Sequence, residues 1–138
     1  MTETEKNKAF VRKAMHALNQ ENWAELIGAF SPSPEATAAF IEQHALFRNA
    51  FADYHCTIKE MIAEGSRVVI YCTVRATHVD DFPFGELRGL PPTGKTVEWD
   101  EVSMWEMKNG KPVEGSGWLL VDGVTRLQQL GFLPIPDL

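Results

Sequence analysis

No stretch of this 138-residue chain approaches the ~20 consecutive apolar residues that span a bilayer, so a membrane partner is not expected. Nor is a secretory leader expected. The start, MTETEKNKAF, is acidic and polar where a leader would carry a basic region and an apolar core, and the chain is expected to be cytoplasmic. Positive charge is scarce: Lys and Arg number 13 against 19 Asp and Glu, a net charge of -6. Binding to a phosphate backbone runs on excess cationic charge, so nucleic acid is not an expected partner. Cysteine is sparse as well, with only Cys56 and Cys72, both inside predicted strands and not in a CxxC arrangement. Neither a zinc site nor a redox motif is indicated. Two buried free thiols are the plain reading, and a disulfide is possible if the strands pair in that register. Internal repeats and low-complexity tracts are absent, and folding needs no cofactor or metal to explain it.

What is present is ordinary globular material, 44% hydrophobic and 23% charged, of a length that fits one domain over residues 1–138. Phe10, Val11, Ala14, Met15 and Leu18 recur at spacings of three and four, which predicts an amphipathic helix over 4–20 that Thr2 or Thr4 could cap. A second short helix carries Trp23, Leu26, Ile27 and Phe30 and stops at Ser31-Pro32-Ser33-Pro34. A third, with Ser33 as N-cap and Pro34 at its first position, places Ala36, Phe40, His44, Phe47 and Phe51 near helical spacing. His16 and His44 read as surface or packing histidines.

From Tyr54 the period becomes two. Tyr54, Cys56 and Ile58 alternate with His55, Thr57 and Lys59, Glu64-Gly65-Ser66 turns the chain, and Arg67 to His78 returns as the second strand of an antiparallel hairpin. A Gly/Pro-rich loop from Asp80 to Lys95 precedes a strand over Thr96 to Met107. Asn109-Gly110 then predicts a type I′ turn into a last strand, Lys111 to Asp122, that Gly115-Ser116-Gly117 should bend. Gly123 to Leu130 reads as a short helix closed by Gly131. The expected architecture is α+β: N-terminal helices on a strongly curved, mainly antiparallel sheet of four strands, forming a conical barrel with an internal pocket.

MIAEGSRVV, ATH, PPTGK, NGKPVE, the spacing from Trp118 to Asp122 and LQQLG, in that order, resemble the SnoaL-like polyketide cyclases, also called predicted ester cyclases. The likeness runs from about Phe51 to Pro134, some three fifths of the chain. It implies the nuclear-transport-factor-2-like, or cystatin-like, fold and an aldol-type ring closure in a polyketide ester without metal or cofactor. It also implies a small apolar ligand, a homodimer, an acid/base aspartate at the position of Asp122, and an assisting histidine at His78. The chain departs from the family pattern at two places. Pro112 and Gly115-Ser116-Gly117 replace an apolar residue and a junction that often holds a histidine, and the segment between Trp23 and Phe51 lacks an early strand carrying Asp-His.

Ring closure needs a base for the proton next to a carbonyl and an acid for the oxygen that becomes a hydroxyl. Trp118, Leu120 and Asp122 alternate onto one strand face, which would set the Asp122 carboxyl above an aromatic wall. Asp122 also precedes a helix, where it would serve as N-cap instead. His78 closes its strand and could be a polar terminus only. Trp99 and Trp105 share parity with Val97 and Ser103, and Tyr71 shares a face with Thr73 and Arg75; with Trp118, the residues Trp99, Trp105 and Tyr71 are the expected substrate contacts. Two other readings use the same fold: a non-catalytic binding domain, and an epoxide hydrolase or isomerase in which Arg75, Asp100 and Asp122 resemble the Asp-Arg-Asp set of limonene epoxide hydrolases.

Overall fold

The structure, a computed structural model, describes residues 1–30 and 34–137. The chain-stop at residues 31–33 and the Ser33 N-cap lie outside the described residues. Helix α1 spans Glu3–Asn19 and opens on a capping box: the Thr2 hydroxyl accepts from the Glu5 amide at 3.2 Å, and the Glu5 carboxylate accepts from the Thr2 amide at 2.7 Å. Its buried stripe is Asn7, Val11, Ala14, Ala17 and Leu18, the face the sequence spacing marks. Helix α2, Trp23–Phe30, buries Leu26 completely beside that stripe. Helix α3 is Pro34–Ala50.

Phe51 does not continue α3 as its spacing suggests. It begins strand β1, Phe51–Glu64, paired with His78, and stacks between the His78 ring and Phe47 with centroids 4.9 and 4.6 Å away. A fully buried aromatic with two stacked partners outweighs one more helical residue. The hairpin partner β2, Arg67–His78, alternates as expected. Val68, Ile70, Cys72, Val74, Ala76 and His78 are buried, while Arg67, Tyr71, Thr73 and Arg75 lie on the other face. Cys56 pairs with Val74 and Cys72 with Ile58; both thiols are free, so no disulfide staples the hairpin. Asn19 reaches from α1 to β1, donating to the Cys56 carbonyl at 2.8 Å and accepting from the Cys56 amide at 2.9 Å, which satisfies an edge-strand backbone pair.

Strand β3, Thr96–Lys108, lies antiparallel to β2 and ends at Asn109-Gly110, where both residues take positive φ, 52° and 76°. The single last strand of the sequence reading is two strands. Strand β4, Lys111–Pro112, and strand β5, Trp118–Val121, both pair with β3, and residues 113–117 loop out between them. Gly117 makes the return possible, because a Cβ there would stand 2.9 Å from the Met104 carbonyl oxygen. Helix α4, Gly123–Leu130, follows, closed by Gly131 at φ 87°. Helices gathered on one face of a curled, mainly antiparallel sheet make the α+β cone expected, with five strands and no closure between β1 and β5.

Candidate functional site

A cavity of about 740 Å³ lies between the three N-terminal helices and the inner face of β3 and β5. Register decides what faces it. On β3 the odd positions Val97 and Trp99 are buried in the core, and Glu101, Ser103 and Trp105 continue that face into the cavity wall. Antiparallel pairing sets Val121 opposite Glu101 and Leu119 opposite Ser103, so Leu119 and Val121 join the wall. Leu120, opposite Val102, turns outward and is 65% exposed.

On this inward face of β3 a carboxyl, that of Glu101, sits among tryptophans. Trp99 Nε1 donates to Glu101 Oε1 at 3.0 Å, and Trp105 Nε1 donates to Ser103 Oγ at 3.2 Å. Burial pushes the Glu101 carboxyl above its ordinary range, against the Trp99 bond and the positive charge of Arg126, which draw it down. Arg126 arrives from α4. Its guanidinium carbon stands 4.9 Å from the Trp99 ring centroid, 5.2 Å from Phe82, 5.6 Å from Phe47 and 5.9 Å from Phe51. Its Nε is buried without a hydrogen-bond partner.

Facing this wall is α3. His44 stacks on Phe40 at 5.8 Å and meets Tyr54 edge-on at 4.9 Å. Burial, helped by the Arg48 charge, pushes its imidazole down to about 4, so it is neutral at physiological pH. Burial likewise pushes the Tyr54 hydroxyl up, so the phenol stays protonated. Arg48 lies 4.7 Å above the Tyr54 ring, bonds the Leu18 carbonyl and pairs with Glu21 at 3.1 Å. Among the described residues no group of three or more His, Cys, Asp or Glu could hold a metal ion, and no helix is long and apolar enough to cross a membrane.

The expected site residues are scattered. Asp122 is not on the cavity wall: it is the N-cap of α4, accepting from the Thr125 amide at 3.1 Å and the Thr125 hydroxyl at 2.6 Å, and these bonds hold its carboxyl below the usual range. The reason is register. Its amide donates to Asp100 at 2.9 Å, which puts Asp122 on the outward parity with Leu120. His78 is fully buried behind the cavity, its ring stacked on Phe51 and its Nδ1 accepting from the Thr93 amide at 3.3 Å. Burial pushes it below the ordinary histidine range. Trp105 and Trp118 line the cavity, whereas Trp99 packs beneath Glu101 in the core. Tyr71 is on the outer sheet face, where it and Thr73 donate to Asp100 at 2.9 and 3.0 Å. That corrects the Asp-Arg-Asp reading also, since Asp100 serves those hydroxyls and Arg75 reaches Glu98 at 3.9 Å.

Glu101, Arg126 and His44 line the cavity in their place. Glu101 was legible in principle, because it shares odd parity with Trp99, Ser103 and Trp105. Arg126 left no such signal, because its direction depends on how α4 docks.

Comparison with solved structures finds AclR from Streptomyces galilaeus at 28% identity and TM-score 0.76, covering 95% of this chain and 99% of that one. IdmH from Streptomyces antibioticus matches at 23% identity and TM-score 0.73, over 91% of this chain and 98% of that one. A SnoaL-like polyketide cyclase from Agrobacterium tumefaciens matches at 16% identity and TM-score 0.75, over 91% and 98%. Comparison with curated proteins finds no match. The profile of the SnoaL-like polyketide cyclases matches residues 7–130, nearly the whole chain, and the chain belongs to that family.

Proposed function

We propose that this protein is a cofactor-independent cyclase for a flat, apolar carbonyl substrate, with Glu101 as its acid/base in place of the aspartate expected at Asp122. The observation that carries this reading is the Glu101 carboxyl, set on the cavity wall, hydrogen-bonded by Trp99 and pushed up by burial toward a working pH. The other wall carboxylates are committed or open to water: Glu106 bonds Ser66 and Arg67, and Glu114 is exposed at the rim.

In this mechanism the Glu101 carboxylate takes a proton from the carbon next to a carbonyl. The enolate carbon attacks a second carbonyl of the same molecule, and the new alkoxide takes the proton back from Glu101. One C–H bond and one C=O π bond are exchanged for a C–C bond and an O–H bond, so the product is an isomer of the substrate. The aromatic walls at Trp105, Trp118 and Phe40 suit a planar frame. His44, neutral and with Nε2 buried without a partner, offers a hydrogen bond to a bound oxygen. Asp122 acts on this site only by capping the helix that carries Arg126, and His78 by holding the Thr93 loop.

Deuterium uptake from D2O into the methyl group of 2-acetylnaphthalene, followed by NMR, tests the proton-transfer step. Wild-type protein should accelerate exchange and Glu101→Gln should lose about a hundredfold of it or more. Equal rates for the two proteins would leave a non-catalytic binding domain as the better reading.

A further inference from the structure

Arg126 is a half-buried cation with no carboxylate in ion-pair contact among the described residues, Glu101 acting on it only at longer range. The described ion pairs supply Lys13, Arg48, Arg67 and Arg75 each with an acidic partner, and none joins Arg126 to Glu101 or to any other carboxylate. Arg48 makes the contrast plain. It too lies over aromatic rings, Tyr54 and Trp23, yet it has Glu21 and the Leu18 carbonyl. For Arg126 the described partners are ring faces; its Nε, like that of Arg48, has no hydrogen-bond partner, so the contrast lies in the missing carboxylate and carbonyl. Ring faces hold a guanidinium in place but do not use its planar fork of N–H donors, which matches a carboxylate or a related oxyanion. A guanidinium whose Nε is buried and unbonded, on the wall of a cavity, is a charge that an anionic ligand group would complete.

We infer that Arg126 reads one anionic oxygen of the ligand, so that the cavity selects flat apolar molecules bearing an ionised carboxylate, enol or phenol over neutral molecules of the same frame. This rests on the reading of the Glu101 cavity as the ligand site and adds the ligand's charge to it. The charge inventory agrees: Glu106 on the wall is paired with Arg67 and Glu114 is exposed, and Arg126 is the cation among the described lining residues. Trp99 ties the two functional groups together, since its indole N–H bonds Glu101 while its ring carries the guanidinium. An oxygen held at Arg126 therefore brings the carbon beside it to the neighbourhood of Glu101, and the same contact stabilises the enolate once the proton has left.

Isothermal titration at pH 7.5 with 2-naphthoate and with 2-acetylnaphthalene compares an anionic and a neutral ligand on one frame. Wild-type protein should bind the naphthoate at least about tenfold more tightly. Arg126→Gln should erase that preference while leaving the ketone's affinity within about twofold, and Arg126→Lys should keep part of it. Equal affinities on the wild type, no binding of naphthoate, or an equal loss of both ligands in Arg126→Gln would overturn the assignment. Should Arg126→Gln fail to fold, the wild-type pair and Arg126→Lys decide. Glu101→Gln separates this from the catalytic reading: it should abolish exchange and retain naphthoate binding.

Discussion

Replacing Gly117 with alanine tests whether the rebuilt junction before β5 is a steric necessity. The new Cβ would stand 2.9 Å from the Met104 carbonyl oxygen, a backbone atom on a strand held between β2 and β5. That oxygen has no rotamer to escape into, so β5 has to move. Overpacking of this kind costs about 1 to 3 kcal/mol. With an unfolding entropy near 2.1 cal/mol/K per residue, 138 residues give about 290 cal/mol/K, so Tm should fall by roughly 3 to 10 °C. The same movement draws Leu119 and Val121 off the cavity wall, so affinity for 2-acetylnaphthalene should weaken as well. Gly123→Ala is the control. Nothing lies within 4 Å of a Cβ there, and the position opens α4, where alanine is a good helix former. Differential scanning calorimetry compares the variants, and a Gly117→Ala protein that melts with the wild type and the control would refute the reasoning.

Asp122→Ala should lower Tm by a few degrees, as lost N-caps do, while Asp122→Asn, whose amide oxygen can also cap, stays near wild type. Both should keep proton exchange, and an Asp122→Asn protein that folds normally but exchanges no deuterium would return the acid/base role to Asp122. His44, at about 4 in the folded chain and 6.5 when unfolded, is a depressed pKa, so its contribution is intact above 6.5 and is lost as pH falls toward about 4. A series of Tm values across that window should therefore slope less for His44→Phe than for wild type, and parallel slopes would count against it. A homodimer joined through the outer sheet face would cover Leu120, 65% exposed on the lone chain. Light scattering should give twice the chain mass for wild type and the single mass for Leu120→Glu; a monomeric wild type ends that proposal.

Most elements are legible because each carries its own period and punctuation. The α1 stripe, the β2 alternation and Asn109-Gly110 are local signals, and local signals survive in the fold. Phe51 is misread because helical spacing is blind to a partner on another strand; pairing with His78 and stacking on Phe47 decide its place. The more instructive error concerns β5. WLLV is apolar on both faces, so no alternation marks the inside, and only pairing with β3 reveals that Leu119 and Val121 point in while Asp122 points out. The site inherits that error. A carboxyl chosen by parity on an unmarked strand becomes a helix cap, while Glu101, on a strand whose tryptophans do mark the inside, occupies the wall.

Within the sheet, the far wall of the cavity hangs from a single strand. Both β4 and β5 pair with β3, and the five residues 113–117 between them touch no other strand ladder. Lengthening or shortening that span leaves the register of β1, β2 and β3 intact, and with it the placement of Glu101. Insertions there should reshape the opening while Glu101 stays where it is. This chain's departure from the family pattern at that junction is thus a place where the opening can be rebuilt without disturbing the three-stranded core of the sheet, provided that Gly117 is kept.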